Sequence, residues 1–291
     1  MKNKIFIALT FLTACSLFAA VPEAKKVTRS YHRHHKIYGK GEYFQLSRER
    51  SNYLIYFQWV NATQTQEDQV LIGLPEPNFW SGFNRRGMFN LIINDISIFN
   101  LEPKKFTVFN TKKEAGVTVL YNFDGVWMNV RFFLDDKTPL LHVECSKDAR
   151  SSKEIKSMVL DIGVYPTVTG MKNGSYKREV VTPARAYKNK GWTTLKPDDT
   201  EFFIYDAVYE GSPKLAKSNG PAYLKMSDPA RQSARMHYGT ASSVSFQFKI
   251  KPDTQKFSFS LLELTQRTTN KEFLDHLIAN GLLKKNSSIG K

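Results

Sequence analysis

Asp124-Gly125 stands between "VTVLYNF" (117–123) and "VWMNVRFFL" (126–134), two runs rich in β-branched and aromatic residues. Asp-Gly in that setting is the strongest short-range signal of a β-hairpin, because a type I′ turn needs positive φ at both central residues. The chain continues in the same manner on either side. "KFTVF" (105–109) leads in through "NTKKEAG", and Pro139 opens "LLHVECS" (140–146), so residues 105–146 read as a meander of four antiparallel strands.

Further strand signals are "SNYLIYFQWV" (51–60), "DQVLIGL" (68–74) and "MFNLIINDISIF" (88–99), the last with Asn94-Asp95 as a bend. "SMVLDIGVYPTV" (157–168), "EFFIYDAVY" (201–209), "PAYLKM" (221–226) and "ARMHY" (234–238) follow. In "VSFQFKI" (244–250), Val244, Phe246, Phe248 and Ile250 alternate with Ser245, Gln247 and Lys249, the period of a half-buried strand. "KPDTQ" joins it to "KFSFSLLEL" (256–264) as a hairpin-like connection. Only the end of the chain reads as a helix. Asn270 caps it, Phe273, Leu274, Leu277 and Ile278 form its apolar stripe, and Gly281 stops it. The absence of alternating helices argues against a parallel α/β fold. The expected class is all-β: an antiparallel β-sandwich, or a larger supersandwich of that type, with a short C-terminal helix at 270–280. Residues 42–291 read as one domain.

"MKNKIFIALTFLTACSLFAA" (1–20) has Lys2 and Lys4 before an apolar run too short to span a bilayer, which is the form of a secretory signal. Leu12-Thr13-Ala14-Cys15 fits a bacterial lipobox, giving a lipid anchor at Cys15. Cleavage after Ala19 or Ala20 would leave no anchor. Both readings place the protein outside the cytoplasm, in the periplasm, on the outer membrane surface or in the medium. Cys145 is then the one remaining thiol, so no internal disulfide staples the fold, and its place in a strand-type run makes it a buried structural residue.

A formal net charge of +15 draws an exported protein to anionic surfaces such as phospholipid or acidic polysaccharide. Export and the lack of standard nucleic-acid-binding motifs argue against nucleic acid. Residues 21–41, "VPEAKKVTRSYHRHHKIYGKG", read as a basic extended arm. Its His32, His34 and His35 have no acidic or cysteine partner in the right spacing, so no metal and no cofactor are expected.

Three stretches combine residue types suited to a glycan. In "PNFWSGFNRRGMFN" (77–90), Phe79, Trp80 and Phe83 offer flat faces for sugar rings, and Arg85 and Arg86 offer forks for a carboxylate or sulfate. The same aromatics would equally plug the end of a β-core, with the arginines reaching outward. "MKNGSYKREVVTPARAYKNKGWTTLK" (171–196) carries seven Lys or Arg with Tyr187 and Trp192, and reads as a long exposed connection. In "DPARQSARMHYG" (228–239), Arg235, His237 and Tyr238 are the types a polysaccharide lyase uses to neutralise a uronate, take its proton and protonate the leaving oxygen. On a strand, Arg235 and His237 share one face and Tyr238 the other, and a strand histidine is most often a hydrogen-bonded structural residue. His142 and Glu144 alternate onto one face of "LLHVEC", where a solvent-facing pair is the ordinary outcome. No G-x-S-x-G, P-loop or HExxH occurs.

"FDGVWMNVRFFLDDKTPLLHVECS" (123–146) resembles the central strands of the galactose-mutarotase-like β-supersandwich family. The resemblance implies a sandwich with a carbohydrate-facing surface. That family's epimerases use paired histidines and a glutamate; His142 and His237 are the only histidines in body strands here, their flanking residues do not match, and epimerase activity is not implied. Taken together, the sequence points to an exported carbohydrate-binding sandwich that contacts anionic polysaccharide. A lyase-type enzyme and a structural envelope protein are the alternatives.

Overall fold

The computed structural model describes residues 21–28, 41–48, 51–60, 69–73, 89–164, 178–187, 191–206, 222–238, 244–263 and 270–283. The signal-like segment with Cys15, the histidines at 32–35, and Phe79, Trp80, Phe83, Arg85 and Arg86 lie outside these residues. The strands are β1 (Glu23–Val27), β2 (Gly41–Arg48), β3 (Ser51–Val60), β4 (Gln69–Gly73), β5 (Phe89–Ile93) and β6 (Ile96–Ser97). The meander follows as β7 (Lys105–Asn110), β8 (Glu114–Phe123), β9 (Val126–Asp135) and β10 (Leu141–Lys147). Then come β11 (Met158–Val164), β12 (Arg178–Val181), β13 (Ala186–Tyr187), β14 (Gly191–Thr194), β15 (Glu201–Asp206) and β16 (Ala222–Lys225). β17 (Arg231–Tyr238), β18 (Val244–Ile250) and β19 (Lys256–Glu263) complete the strands, and helix α1 spans Asn270–Ala279.

These strands form three antiparallel sheets. One has the order β1-β2-β3-β4, a second β13-β12-β15-β16-β19-β10-β9-β8-β7, and a third β14-β17-β18-β11-β5-β6. The nine-stranded and six-stranded sheets pack face to face, as the ring pairs Phe89–Phe259 (5.4 Å) and Phe202–Phe246 (4.9 Å) show. The four-stranded sheet covers the remaining inner face beside β7, through Phe44 and Phe57 against Phe106 at 5.3 and 5.0 Å. Phe132 sits at the junction, 5.8 Å from Phe57 and 6.0 Å from Phe89. The fold is a sandwich whose core is phenylalanine-rich, each ring contributing about 1.5–3 kcal/mol by burial.

The turn chemistry is as expected. Asp124 and Gly125 both have positive φ (47° and 92°), and Asn122 Oδ1 accepts from the Gly125 N–H at 2.7 Å. Asn94 and Asp95 form a second turn of that kind (φ 48° and 66°), joining β5 to β6. Helix α1 ends in a Schellman motif: Gly281 (φ 68°) donates to the Ile278 carbonyl and Leu282 to that of Leu277. Leu277 and Leu283 pack with Phe203, Tyr205 and Tyr223 on the outer face of the nine-stranded sheet.

Three expectations change. Residues 23–27 of the proposed arm are β1, because Ala24 is buried and its backbone N–H and C=O are both clamped by the Asn110 side chain, at 2.7 and 3.0 Å. The stretch 171–196 contributes β12, β13 and β14, where short Val and Thr runs pair with β15 and β17. The "KPDTQ" link is no hairpin: β18 belongs to the six-stranded sheet and β19 to the nine-stranded one, so the link arches between them.

Candidate functional site

Alternation along the six-stranded sheet sorts its side chains. Ala234, Met236 and Tyr238 of β17, with Phe246 and Phe248 of β18, are buried in the core. Arg235, His237, Gln247 and Asp161 therefore lie on the outer face. Register joins them across strands: Thr194, Arg235, Gln247, Asp161 and Asn90 form one row, and Trp192, His237 and Ser245 the next.

Two features make this row more than a polar surface. The first is stacking. The Arg235 guanidinium lies 4.1 Å from the Trp192 ring centroid, and Trp192, 45% exposed, also packs on the His237 ring at 5.0 Å. The second is a hydrogen-bonded chain with a fixed polarity. Gln247 Nε2 donates to Asp161 Oδ1 (2.9 Å), which turns Gln247 Oε1 toward Arg235, whose Nε donates to it at 2.8 Å. Burial raises the Asp161 carboxyl above the usual carboxylate range, against the Gln247 hydrogen bond and the Arg235 charge. Arg235 is thus held by its Nε and its flat face. Among the described residues its two terminal nitrogens make no hydrogen bond. A guanidinium anchored that way presents its fork to an anion with little conformational entropy left to lose.

The other sequence candidates separate. Tyr238 faces the core, where its hydroxyl donates to the Tyr187 carbonyl and accepts from the Val180 N–H at 3.1 Å. Tyr187 donates through its hydroxyl to Asp199, which is fully buried and also accepts from Thr182, Arg185 and the Lys196 N–H. That knot fixes the β13–β14 region and commits Tyr187 to structure. His142 lies on the outer face of the nine-stranded sheet and His237 on the outer face of the six-stranded one, so they form no pair. Asp161 and Gln247 were not singled out in the sequence. Alternation marks both as outward polar residues, but their meeting depends on β11, β17 and β18 being neighbours, which no local signal gives.

No family model matches the chain, and no curated protein matches it. Among solved structures, an α-galactosidase from Lactobacillus brevis is similar over 78% of this chain and 40% of that chain, with TM-score 0.40 and 9% identity. A GH36 α-galactosidase from Geobacillus stearothermophilus is similar over 84% and 41%, with TM-score 0.38 and 7% identity. A chondroitinase AC lyase is similar over 85% and 39%, with TM-score 0.39 and 9% identity. The chain spans about two fifths of the length of each.

Proposed function

We propose that this is an exported carbohydrate-binding protein, and that the outer face of the six-stranded sheet holds an acidic glycan. The Trp192–Arg235 stack carries the reading. The exposed part of the indole suits the C–H face of a sugar, and the anchored fork beside it suits a carboxylate or sulfate. The signal-like first twenty residues and the net charge of +15 support the same reading, since a basic exported protein meets acidic polymers. Binding is favoured over lyase chemistry because Tyr238, the third member of the lyase set, lies on the opposite side of the sheet from Arg235 and His237.

The test is titration of the protein with a uronate polymer and with its neutral, reduced counterpart, read by tryptophan fluorescence and calorimetry. Trp192→Ala should weaken binding to both polymers. Arg235→Ala should weaken binding to the uronate alone, by about tenfold or more, the scale of one charge-assisted contact. Affinities unchanged in both variants would end the proposal.

A further inference from the structure

The outer face of the nine-stranded sheet carries a second constellation, unrelated to the proposed glycan surface. His142 of β10 lies between two partners. Its Nδ1 is 2.8 Å from Ser260 Oγ of β19, and its Nε2 is 3.3 Å from Asp135 Oδ2 and 3.1 Å from Thr138 Oγ1. The Phe133 ring stacks on the imidazole, 5.1 Å away and 26° from parallel.

The hydrogen-bond pattern fixes the tautomer. Asp135 Oδ1 accepts from the backbone N–H groups of Lys137 and Thr138 (3.0 and 2.7 Å) and from the Thr138 hydroxyl (3.2 Å). Burial works to raise the Asp135 carboxyl, but the His142 bond and these backbone donors outweigh it and hold it below the usual carboxylate range. An ionised carboxylate only accepts, and the Thr138 hydroxyl has already spent its proton on Asp135. Both groups facing Nε2 are therefore acceptors, so Nε2 carries the hydrogen. In the neutral imidazole Nδ1 is then a lone pair, to which the Ser260 hydroxyl can donate. The loop is held in place from behind: Arg48 Nη1 donates to the carbonyls of Asp135 (3.0 Å) and Thr138 (2.9 Å).

We propose that Ser260 is an activated nucleophile, with His142 as its general base and Asp135 and Thr138 as positioning residues, acting on esters. The logic is that of a serine–histidine–carboxylate triad with the two ring nitrogens exchanged. Ser260 Oγ attacks the carbonyl carbon while its proton passes to His142 Nδ1. As the C–O bond breaks, the leaving alcohol takes that proton back, and water then hydrolyses the acyl-serine with the same base. Lys225, the cross-strand neighbour of Ser260 on the side away from His142, is the nearest cation in the register to a developing oxyanion, and it is held by Glu201 at 2.9 Å. Backbone N–H groups within a ladder are already engaged, so among the described residues no backbone oxyanion hole forms at Ser260 and turnover should be slow. Covalent capture is thus the sensitive readout.

Ser258 supplies an internal control. It lies two residues earlier on the same face, but opposite Glu144 rather than a histidine. Incubation of the full chain with a fluorophosphonate forms an Oγ–P bond, expels fluoride and sends the hydroxyl proton through His142 to solvent. Mass spectrometry should place the adduct on Ser260 and not on Ser258, and Ser260→Ala should abolish it. His142→Gln should slow labelling by about 10²-fold or more, the usual contribution of a general base. Asp135→Asn can donate to Nε2 and so reverse the tautomer; ¹⁵N imidazole shifts should show the exchange, with labelling falling in parallel while circular dichroism stays native. No labelling above the Ser260→Ala background would overturn the proposal. So would a native-like His142→Gln protein labelled at the original rate.

Discussion

Arg131 and Arg235 occupy matching situations on opposite sides of the sandwich, and their surroundings satisfy them to different degrees. Each lies on the outer face of its sheet with its guanidinium against an aromatic ring. Arg131 is enclosed: Phe109 and Phe133 flank it at 4.3 and 4.4 Å, and Glu114 neutralises it at 2.7 Å. Among the described residues Arg235 has one ring, Trp192, and a neutral amide at Nε. The first is a closed packing unit in which charge is cancelled and both faces are covered. The second keeps its charge and its fork. Residue type is the same in both and each touches an aromatic ring, but Glu114 pairs directly with Arg131, whereas Asp161 is linked to Arg235 through Gln247.

The enclosed side should break hardest. Gly116 lies between Phe109 and Phe133 in the register, and an added Cβ would fall 2.0 Å from the Phe132 carbonyl oxygen and 2.7 Å from Phe133 Cβ. Gly116→Ala should cost about 3 kcal/mol or more, or prevent folding, as read by urea unfolding. Arg131→Ala loses two ring contacts and an ion pair, and should cost about 1–2 kcal/mol in the same measurement.

Two carboxylates sharpen the contrast through pH. Asp135 is held below its ordinary range, so its stabilisation is complete above the unfolded carboxylate pKa and is lost as pH falls below it. Asp135→Asn should be less stable than the parent at neutral pH, and the gap should close on acidification. Asp161 is shifted upward, so its ionised form costs stability, which returns as pH falls through its folded value. Asp161→Asn should therefore be as stable as the parent or more so at neutral pH, with that advantage shrinking in acid. Unfolding midpoints at several pH values distinguish the two signs. The smallest effect belongs to Arg235→Ala, within about 0.5 kcal/mol of the parent, since its bond to Gln247 and its contact with Trp192 both lie at the exposed surface. A larger loss would place Arg235 with Arg131.

Local chemistry made much of this fold legible. Asp124-Gly125, Asn94-Asp95, the alternation of 244–250 and the Gly281 stop are each written within a few residues, and each appears in the structure. Side-chain parity was equally readable, and it set Tyr238 apart from Arg235 and His237. Strand order was not. The link after Ile250 looks like a hairpin because "KPDTQ" is turn-like, yet nothing local says that the next strand joins the other sheet. The site suffered the same blindness: Asp161, Gln247 and Arg235 meet only because three distant strands are neighbours. His142 was noticed, but its partners Ser260 and Asp135 are supplied by another strand and a loop.

The position of β19 has a consequence for how the sheet is held together. It is the last described strand in the chain, yet it sits in the interior of the nine-stranded sheet, hydrogen-bonded to β10 on one side and β16 on the other. Without β19, β10 at the end of the β7–β10 meander and β16 at the end of the β12–β16 group would each present an open edge. Residues 256–263 are therefore the keystone that joins two groups of strands into one continuous sheet, and their loss would leave two unpaired edges rather than one shortened end.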